Sequence, residues 1–410
     1  MAEDPPNTMN AVASPRIGWG GAALWGMGLV LSLRIGLGLL MGIAWTAAEG
    51  HISSYRLSNP SLYGKLQMPV SPMGEFWLGV WPRWDAVHHL NLAMRGYSDM
   101  SEGTTLFYPL YASLTRVVAQ LAGGDFILSG LVVSTLSAAA AFSLLLLLGQ
   151  LLFGPAAGRW ASISLAVYPA SVLLLAPLTE SLFLALTLGA FLAAYTRRWP
   201  LAALLAVLAS LTRASGIAAS ASFALIAWSQ LSAPGEKRPS HTVLFALIAI
   251  IAPLAGGAGF LAWRSAAGYP PITAVLQEHV GTSFVDPLTG IALAFRQWFR
   301  VHDLPTTLDV LSATTFLAIT VAMIVRRRWR RPELVAYMVV NLVVLLARQT
   351  EGAPSLKSLS RYVLVLFPAF LVIGDWLAAI SPRSRFWYIV ASSSLLIVLS
   401  VLYVLWFFIG

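Results

Sequence analysis

Long apolar stretches separated by short polar connections make up most of this 410-residue chain. Many of these stretches hold about 20 residues, which as a helix is enough to cross the ~30 Å hydrocarbon core of a bilayer. The pattern therefore predicts an all-α, polytopic membrane protein with about 11 transmembrane helices, roughly 10 to 12. The predicted spans are residues 18–46, 126–153, 157–177, 180–196, 199–212, 214–231, 241–264, 307–325, 333–348, 359–380 and 386–408.

Two polar segments, 47–125 and 265–306, are long for simple connections between spans. The first is dense in aromatic residues, which argues against disorder. We expect both segments to carry short helices at the membrane interface, where Trp and Tyr side chains prefer to lie. Residues 18–408 are thus interpreted as a single transmembrane domain that follows a cytoplasmic tail, residues 1–17.

Basic residues are concentrated in alternate connections, and this distribution predicts how the chain is oriented in the membrane. These connections contain Arg159, Arg197 with Arg198, Lys237 with Arg238, the run 326–331, and Arg383 with Arg385. Because such residues stay on the cytoplasmic side, segments 47–125 and 265–306 are predicted to lie on the non-cytoplasmic side. We interpret the run 326–331 as a determinant of topology near anionic lipid.

Composition excludes several other classes of protein. Hydrophobic residues make up 58% of the chain and charged residues 10%, against about 25% charged residues in soluble domains. The absence of cysteine excludes disulfides and thiolate metal sites. The basic excess follows the topology, so we expect membrane lipids and no nucleic acid as partners. Arginine supplies 23 of the 26 basic residues, a bias that favours a bacterial plasma membrane protein (the ER membrane for a eukaryotic chain).

The segment from Trp81 to Tyr97 carries the clearest candidate chemistry. Pro82 suits the start of a helix and Gly96 its end, and on that helix Asp85, His88 and His89 share a face. An ionised aspartate at the membrane surface can act as a general base. Two alternatives stay open at this stage. Asp85 could cap the helix while the histidines pack at the interface, or the three side chains could share a divalent metal, although no other feature of the sequence requires one.

A group of cations is predicted at the ends of spans on the same side as this segment, against the general trend of basic residues. The group consists of Arg213, Arg264, Arg348, Lys357 and Arg361. Arginine offers a planar fork that binds phosphate, whereas any one of these side chains could simply extend to the interface. Glu180 at a span boundary needs a partner, and Arg213 could form a structural ion pair with it. Arg34 lies within the first span, where a charge is either functional or paired inside the bundle.

Short motifs between about residues 80 and 370 resemble, in order, those of the PIG-V mannosyltransferase family. They are Arg83-Trp84-Asp85-Ala86, Gly96-Tyr97, Phe107-Tyr108-Pro109-Leu110, Tyr168-Pro169-Ala170-Ser171, Thr179-Glu180-Ser181, Thr212-Arg213 with Gly216, and Ser360-Arg361-Tyr362 with Phe367-Pro368. The resemblance implies a GT-C type membrane glycosyltransferase that uses a polyprenyl- or dolichyl-phosphate sugar, typically mannose. It also implies that an acid in the first outer loop, here Asp85, acts as the base.

The sequence therefore predicts an inverting sugar transfer at the non-cytoplasmic face, with Asp85 as the catalytic base and no required metal. Arg213 and Arg361 are expected to hold the donor phosphate. Other candidate substrate contacts are His88, His89, Tyr97, Tyr108, Glu180, Lys357 and Arg264. The acceptor could be a lipid, a glycan or a protein. Two other classes stay open: a lipid or lipid-linked sugar transporter (a flippase), and a non-catalytic subunit of a membrane complex.

Overall fold

The computed structural model describes residues 17–48, 66, 68–69, 71–98, 102–232, 240–350 and 356–407. Residues 1–16 of the predicted tail, the pair Lys237 and Arg238, and the stretch 49–65 of the first long segment lie outside the described residues. Within the described part the chain is almost entirely helical, as the apolar pattern predicts.

The helices, in chain order, are α1 (Trp19–Ala47), α2 (Pro72–Gly74, continued by the π-turn Glu75–Gly79), α3 (Asp85–Arg95), α4 (Pro109–Leu121), α5 (Phe126–Phe153), α6 (Pro155–Ala166), α7 (Val172–Leu175), α8 (Glu180–Tyr195), α9 (Trp199–Ser210), α10 (Ala219–Leu231), α11 (Ser240–Ala266), α12 (Ile272–Val280), α13 (Pro287–Val301), α14 (Leu304–Val325), α15 (Pro332–Ala347), α16 (Leu359–Tyr362), α17 (Phe367–Ala379) and α18 (Pro382–Val404). Short 3-10 turns cover Glu102–Leu106, Ala214–Ala218 and Val363–Val365.

Six of the helices in the described part are long and apolar enough to cross a membrane, and a bent pair would make seven. They are α1, α5, α11, α14, α18 and the continuous helix Ala214–Leu231. Shorter apolar helices α8, α9 and α15 fall on three further predicted spans. The prediction of an all-α, polytopic membrane protein is therefore confirmed at this level. The first long segment also carries the expected short helices, α2 to α4.

The predicted span 157–177 is wrong as a single helix, because α6 ends at Ala166 and only the short α7 follows. Pro169 lacks an N–H and cannot bond the Leu165 carbonyl four residues earlier. The Ser171 hydroxyl donates to that carbonyl instead. Backbone groups inside a membrane protein need such internal partners, so the break is built into the fold.

The predicted span 359–380 is also bent, by 78° between the segment 359–365 and α17. Pro368 follows this bend as an early residue of α17, where its fixed φ is tolerated. The bend gives the N-terminal segment, which carries Arg361, a different direction from the apolar α17. This geometry lets Arg361 reach across the bundle.

A two-stranded antiparallel sheet joins the second long segment to the end of α15. Strand β1 (Thr282–Phe284) pairs with β2 (Arg348–Thr350), and Phe284 lies opposite Arg348. The pairing holds α12 and α13 near the chain that leads to Arg361.

Arginines of the basic run 326–331 are used within the fold. The Arg328 guanidinium binds both carboxylate oxygens of Asp375, at 2.5 and 2.6 Å, and the Trp329 indole donates to the same carboxylate at 2.8 Å. Arg331 donates to the Leu152 carbonyl at 2.8 Å. The run therefore fastens the α14–α15 connection to neighbouring helices, and its role as a topology determinant stays a prediction.

Candidate active site

Arg83 anchors the loop that presents Asp85. Its guanidinium is fully buried and donates to the carbonyls of Val404 at 3.1 Å and Gly79 at 2.7 Å. The same group lies 4.3 Å from the ring centre of Trp45 and 4.8 Å from that of Trp406, in a cation–π arrangement. The loop before α3 is thus fixed to both α1 and the end of α18.

Trp84, immediately before α3, adopts a left-handed φ of 53°. A bulky residue rarely takes this conformation, and such strain persists only when the surroundings enforce it. The Trp84 ring packs edge-on against Trp406 with their ring centres 5.7 Å apart. The turn places Asp85 as the first residue of α3, and the Asp85 side chain does not cap that helix. The capping part of that alternative is therefore wrong, whereas its other part, the packing of the histidines, is found in the structure.

The Asp85 carboxylate instead binds an arginine that is 276 residues further along the chain. Arg361 Nη1 lies 2.6 Å from Asp85 Oδ2. The Nε of Arg361 donates to Glu180 Oε1, and Arg213 Nη1 binds the same oxygen at 2.6 Å. The expected ion pair between Glu180 and Arg213 is confirmed, as part of an alternating acid–base chain. We call Asp85, Arg361, Glu180 and Arg213 the charge network.

Burial varies along the charge network in a way that distinguishes its two acids. The Glu180 side chain is 0% exposed, whereas 40% of the Asp85 side chain is exposed. The side chains of Arg361 and Arg213 are 7% and 12% exposed. Glu180 is therefore placed to hold the two arginines, and Asp85 is the acid that a reactant could reach.

The electrostatic surroundings keep Asp85 ionised. Burial alone would raise the pKa of the Asp85 carboxyl, but the adjacent Arg361 guanidinium outweighs it and lowers that pKa to about 2. Burial also lowers the pKa of His89 to about 4, although Asp85 and Glu180 oppose this change. The pKa of His88 is lowered by burial as well. At neutral pH the site thus pairs a carboxylate with neutral imidazoles.

Both histidines contact Phe107. The His88 ring stacks on Phe107 at 5.4 Å and 16°, and the buried His89 meets Phe107 edge-on at 4.7 Å and Tyr111 at 5.4 Å. Packing is thus part of the role of each imidazole. Within the described ranges no group of three or more His, Asp or Glu residues is placed to hold a metal ion.

A third arginine joins the cations of the site. The guanidinium carbons of Arg213, Arg348 and Arg361 lie 5.3, 4.8 and 5.8 Å from the ring centre of Tyr362. Arg348 begins β2, so the small sheet brings it to this position. Three guanidiniums therefore share one aromatic ring, while two carboxylates complete the charge network.

Other predicted substrate contacts form a neighbouring cluster at the end of α11. The Tyr97 ring lies 4.8 Å from Trp263, and the Tyr108 ring 4.5 Å from Phe260. Arg264 is buried there and donates to the carbonyls of Thr105 and Pro270. This cluster reaches the site through the Tyr97 hydroxyl, which donates to the Phe107 carbonyl at 2.6 Å. Lys357, four residues before Arg361, is partly exposed.

Arg34 pairs inside the bundle. Its Nη2 donates to the Thr135 hydroxyl at 2.8 Å and to the Leu175 carbonyl, the last of α7, at 2.7 Å. Its guanidinium carbon lies 4.3 Å from the ring centre of Trp81. Arg34 thus contacts the loop that presents Asp85 through the Trp81 ring.

The sequence interpretation missed Asp309, a buried acid within the predicted span 307–325. An acid inside a span is a functional hypothesis by default, so the signal was available in the sequence. Its two carboxylate oxygens accept the backbone N–H groups of Ser358 and Ser360, next to Arg361.

Comparisons of the chain with protein-family models, with curated proteins and with solved structures find no match. The chemistry of the site must therefore be inferred from its own residues.

Proposed function

We propose that the protein is a membrane glycosyltransferase of GT-C architecture with about 11 spans, and a mannosyltransferase as the PIG-V resemblance implies. It would move a sugar, with inversion, from a polyprenyl-phosphate donor to an acceptor hydroxyl at the non-cytoplasmic face. The observation that carries the proposal is the charge network, in which a partly exposed, ionised Asp85 contacts Arg361, and Glu180 holds Arg361 together with Arg213. A base beside a phosphate-binding fork is what this transfer needs.

Asp85 is suited to take the proton of the acceptor. The acceptor oxygen attacks the anomeric carbon, its proton passes to Asp85, and the bond between that carbon and the phosphate oxygen breaks. Because Arg361 keeps the pKa of Asp85 low in the free protein, a donor phosphate that also binds the Arg361 guanidinium would weaken its effect on Asp85 and make the carboxylate more basic. Donor binding would thus activate the base.

The arginines are suited to stabilise the leaving phosphate. Glu180 fixes the Arg213 and Arg361 guanidiniums against one buried carboxylate oxygen, so they need little reorganisation during the reaction. Arg348 adds a third guanidinium beside Tyr362. The departing prenyl phosphate carries charge from the start, and fixed cations can hold it by forked hydrogen bonds.

An apolar groove of about 650 Å³ is a suitable binding place for the lipid chain of such a donor. It is lined by α5, α8 and α9, and it extends along α8 from Leu182 to Thr196, the residue that follows the helix. That distance is roughly 21 Å at about 1.5 Å per helical residue. Since Leu182 lies two residues after Glu180, a chain attached to a phosphate at the arginines could enter the groove.

A substitution at Gly189, which lines the groove, tests whether the groove binds the lipid chain of the donor. A side chain there would approach Leu205 Cδ1 at 3.1 Å and Leu144 Cδ1 at 3.7 Å, so Gly189→Leu should narrow the groove. We expect KM for a long-chain prenyl donor to rise about tenfold, or about 1.4 kcal/mol, while KM for a short-chain analogue stays unchanged.

Gly259→Leu is the matched control, because a side chain at Gly259 meets no atom within 4 Å. KM for both donors should remain normal in this variant. Equal KM changes for long and short donors in Gly189→Leu would contradict a chain-binding groove.

The proposed function is tested by incubating purified protein with a panel of polyprenyl-phosphate sugars and candidate acceptors. We expect one donor to be consumed and its prenyl phosphate to be released, and mass spectrometry would detect both changes. Movement of a lipid-linked sugar across vesicles without consumption would instead favour the transporter. Neither consumption nor movement would favour the non-catalytic subunit.

A further inference from the structure

The chain just before Arg361 has an unusual backbone conformation. Ser358 adopts a left-handed φ of 69°, which residues with a side chain rarely take. The turn is followed at once by α16, a single helical turn whose third residue is Arg361. A short, tightly turned segment therefore determines where the Arg361 guanidinium points.

Asp309 on α14 holds this segment. Asp309 is 3% exposed, its Oδ2 accepts the Ser358 N–H at 3.1 Å, and its Oδ1 accepts the Ser360 N–H at 2.8 Å. Both oxygens of one buried carboxylate are thus bound to the backbone on either side of Leu359.

The broken span α6–α7 contributes a second contact. The Tyr168 hydroxyl lies 3.5 Å from both the Ser312 hydroxyl and the Ser360 carbonyl. Ser312 is one helical turn after Asp309 on α14, so the same face of α14 also reaches the segment indirectly, through Tyr168. The carboxylate nevertheless supplies the two direct bonds.

We propose that Asp309 is a positioning residue for binding of the donor phosphate. Asp309 holds the backbone of residues 358–360 and thereby directs the Arg361 side chain toward Asp85 and Glu180. The inference rests on the proposed function, since it assumes that Arg361 binds a phosphate. Asp309 does not touch the substrate in this account. Removal of its carboxylate would leave the turn free to relax and would withdraw Arg361 from the charge network.

A double-mutant cycle tests the proposal, with binding of a short-chain prenyl phosphate as the measurement. We expect Asp309→Ala to weaken binding about tenfold, and Arg361→Ala to weaken it at least as much. Because Asp309 acts through Arg361, the double variant should bind no more weakly than Arg361→Ala alone. Additive losses would overturn the proposal.

A second measurement separates positioning from simple loss of structure. The groups that face Asp85 are Arg361, His88 and His89, and the arginine lowers the Asp85 pKa. If Asp309→Ala withdraws Arg361, the acid limb of the kcat/KM profile should move upward from about 2. A variant that is only less stable would keep the acid limb of the wild type, and that result would also overturn the proposal.

Asp309→Asn keeps the side-chain size and one acceptor oxygen, so it serves where the alanine variant does not fold. An intermediate loss of prenyl phosphate binding is expected. Asp375→Asn is the matched control: it removes another buried acid, one that binds Arg328 and Trp329, and should leave this binding unchanged.

The two hypotheses fail in different ways. Wild-type protein that does not bind prenyl phosphate overturns both the proposed function and this inference. Wild-type protein that binds it, combined with an Asp309→Ala variant that binds equally well, overturns the inference alone.

Discussion

Replacing Asp85 with asparagine should lower the rate of sugar transfer by about 10² to 10⁴-fold, the range that a general base contributes. The amide cannot accept the acceptor proton, although its size and place at the start of α3 are unchanged. Arg361 loses the carboxylate at 2.6 Å that competes for it, so the affinity for a prenyl phosphate should stay the same or rise. Single-turnover kinetics and a separate binding titration measure the two effects.

Asp125→Asn is the control for this variant. Asp125 caps α5 by accepting the Leu128 N–H at 2.9 Å, and asparagine is an equally good cap. Transfer by Asp125→Asn should proceed at the wild-type rate. If Asp85→Asn also transfers sugar at that rate, the assignment of the base is wrong.

Replacing Arg361 with glutamine should have an effect of similar size through a different route. The variant loses the guanidinium that joins Asp85 to Glu180, and the buried Glu180 carboxylate is then paired only with Arg213. Breaking a buried ion pair by removing one partner costs about 3–5 kcal/mol, so thermal stability should fall together with prenyl phosphate binding. Arg361→Lys should recover part of the stability but little of the binding, since an ammonium lacks the fork.

The pH dependence of Arg361→Gln follows from the sign of the Asp85 shift. Arg361 lowers the pKa of Asp85 in the folded state. The ion pair of Asp85 with Arg361 therefore contributes its full stability at pH values above the pKa of Asp85 in the unfolded chain, and this stability is lost as the pH falls toward about 2. In Arg361→Gln only burial and the weaker effect of the histidines act on the pKa of Asp85, so the acid limb of the kcat/KM profile should move to higher pH. Arg328→Gln, which breaks the pair with Asp375, is the control and should keep the wild-type profile. A wild-type profile in Arg361→Gln would contradict the charge network as the origin of the shift.

Local features of the site could be predicted from the sequence. Pro82 and Gly96 bound the segment that contains α3, and the helical spacing of Asp85, His88 and His89 follows from that assignment. The pair of Glu180 with Arg213 could be inferred because a buried acid at a span boundary requires a cation. These inferences need only the neighbouring sequence and the cost of an unpaired charge.

Long-range partners could not be predicted in the same way. No periodicity connects Asp85 with Arg361, and their contact depends on the 78° bend ahead of α17 and on the turn at Ser358. Pro169 did carry a signal, but apolar length alone suggested an uninterrupted span there. Asp309 does carry a signal as an acid inside a predicted span, but its partners are backbone N–H groups, which no sequence pattern identifies.

The anchorage of Arg83 has a consequence for how the protein matures during synthesis. Its acceptor, the Val404 carbonyl, lies 321 residues later, and the Tyr403 hydroxyl donates to the Trp81 carbonyl at 2.8 Å. While the ribosome is still producing α18, the loop before Asp85 lacks both fastenings. The nascent chain can therefore insert its earlier helices into the membrane before the site is assembled, and the loop that presents Asp85 is fully anchored only when α18 docks.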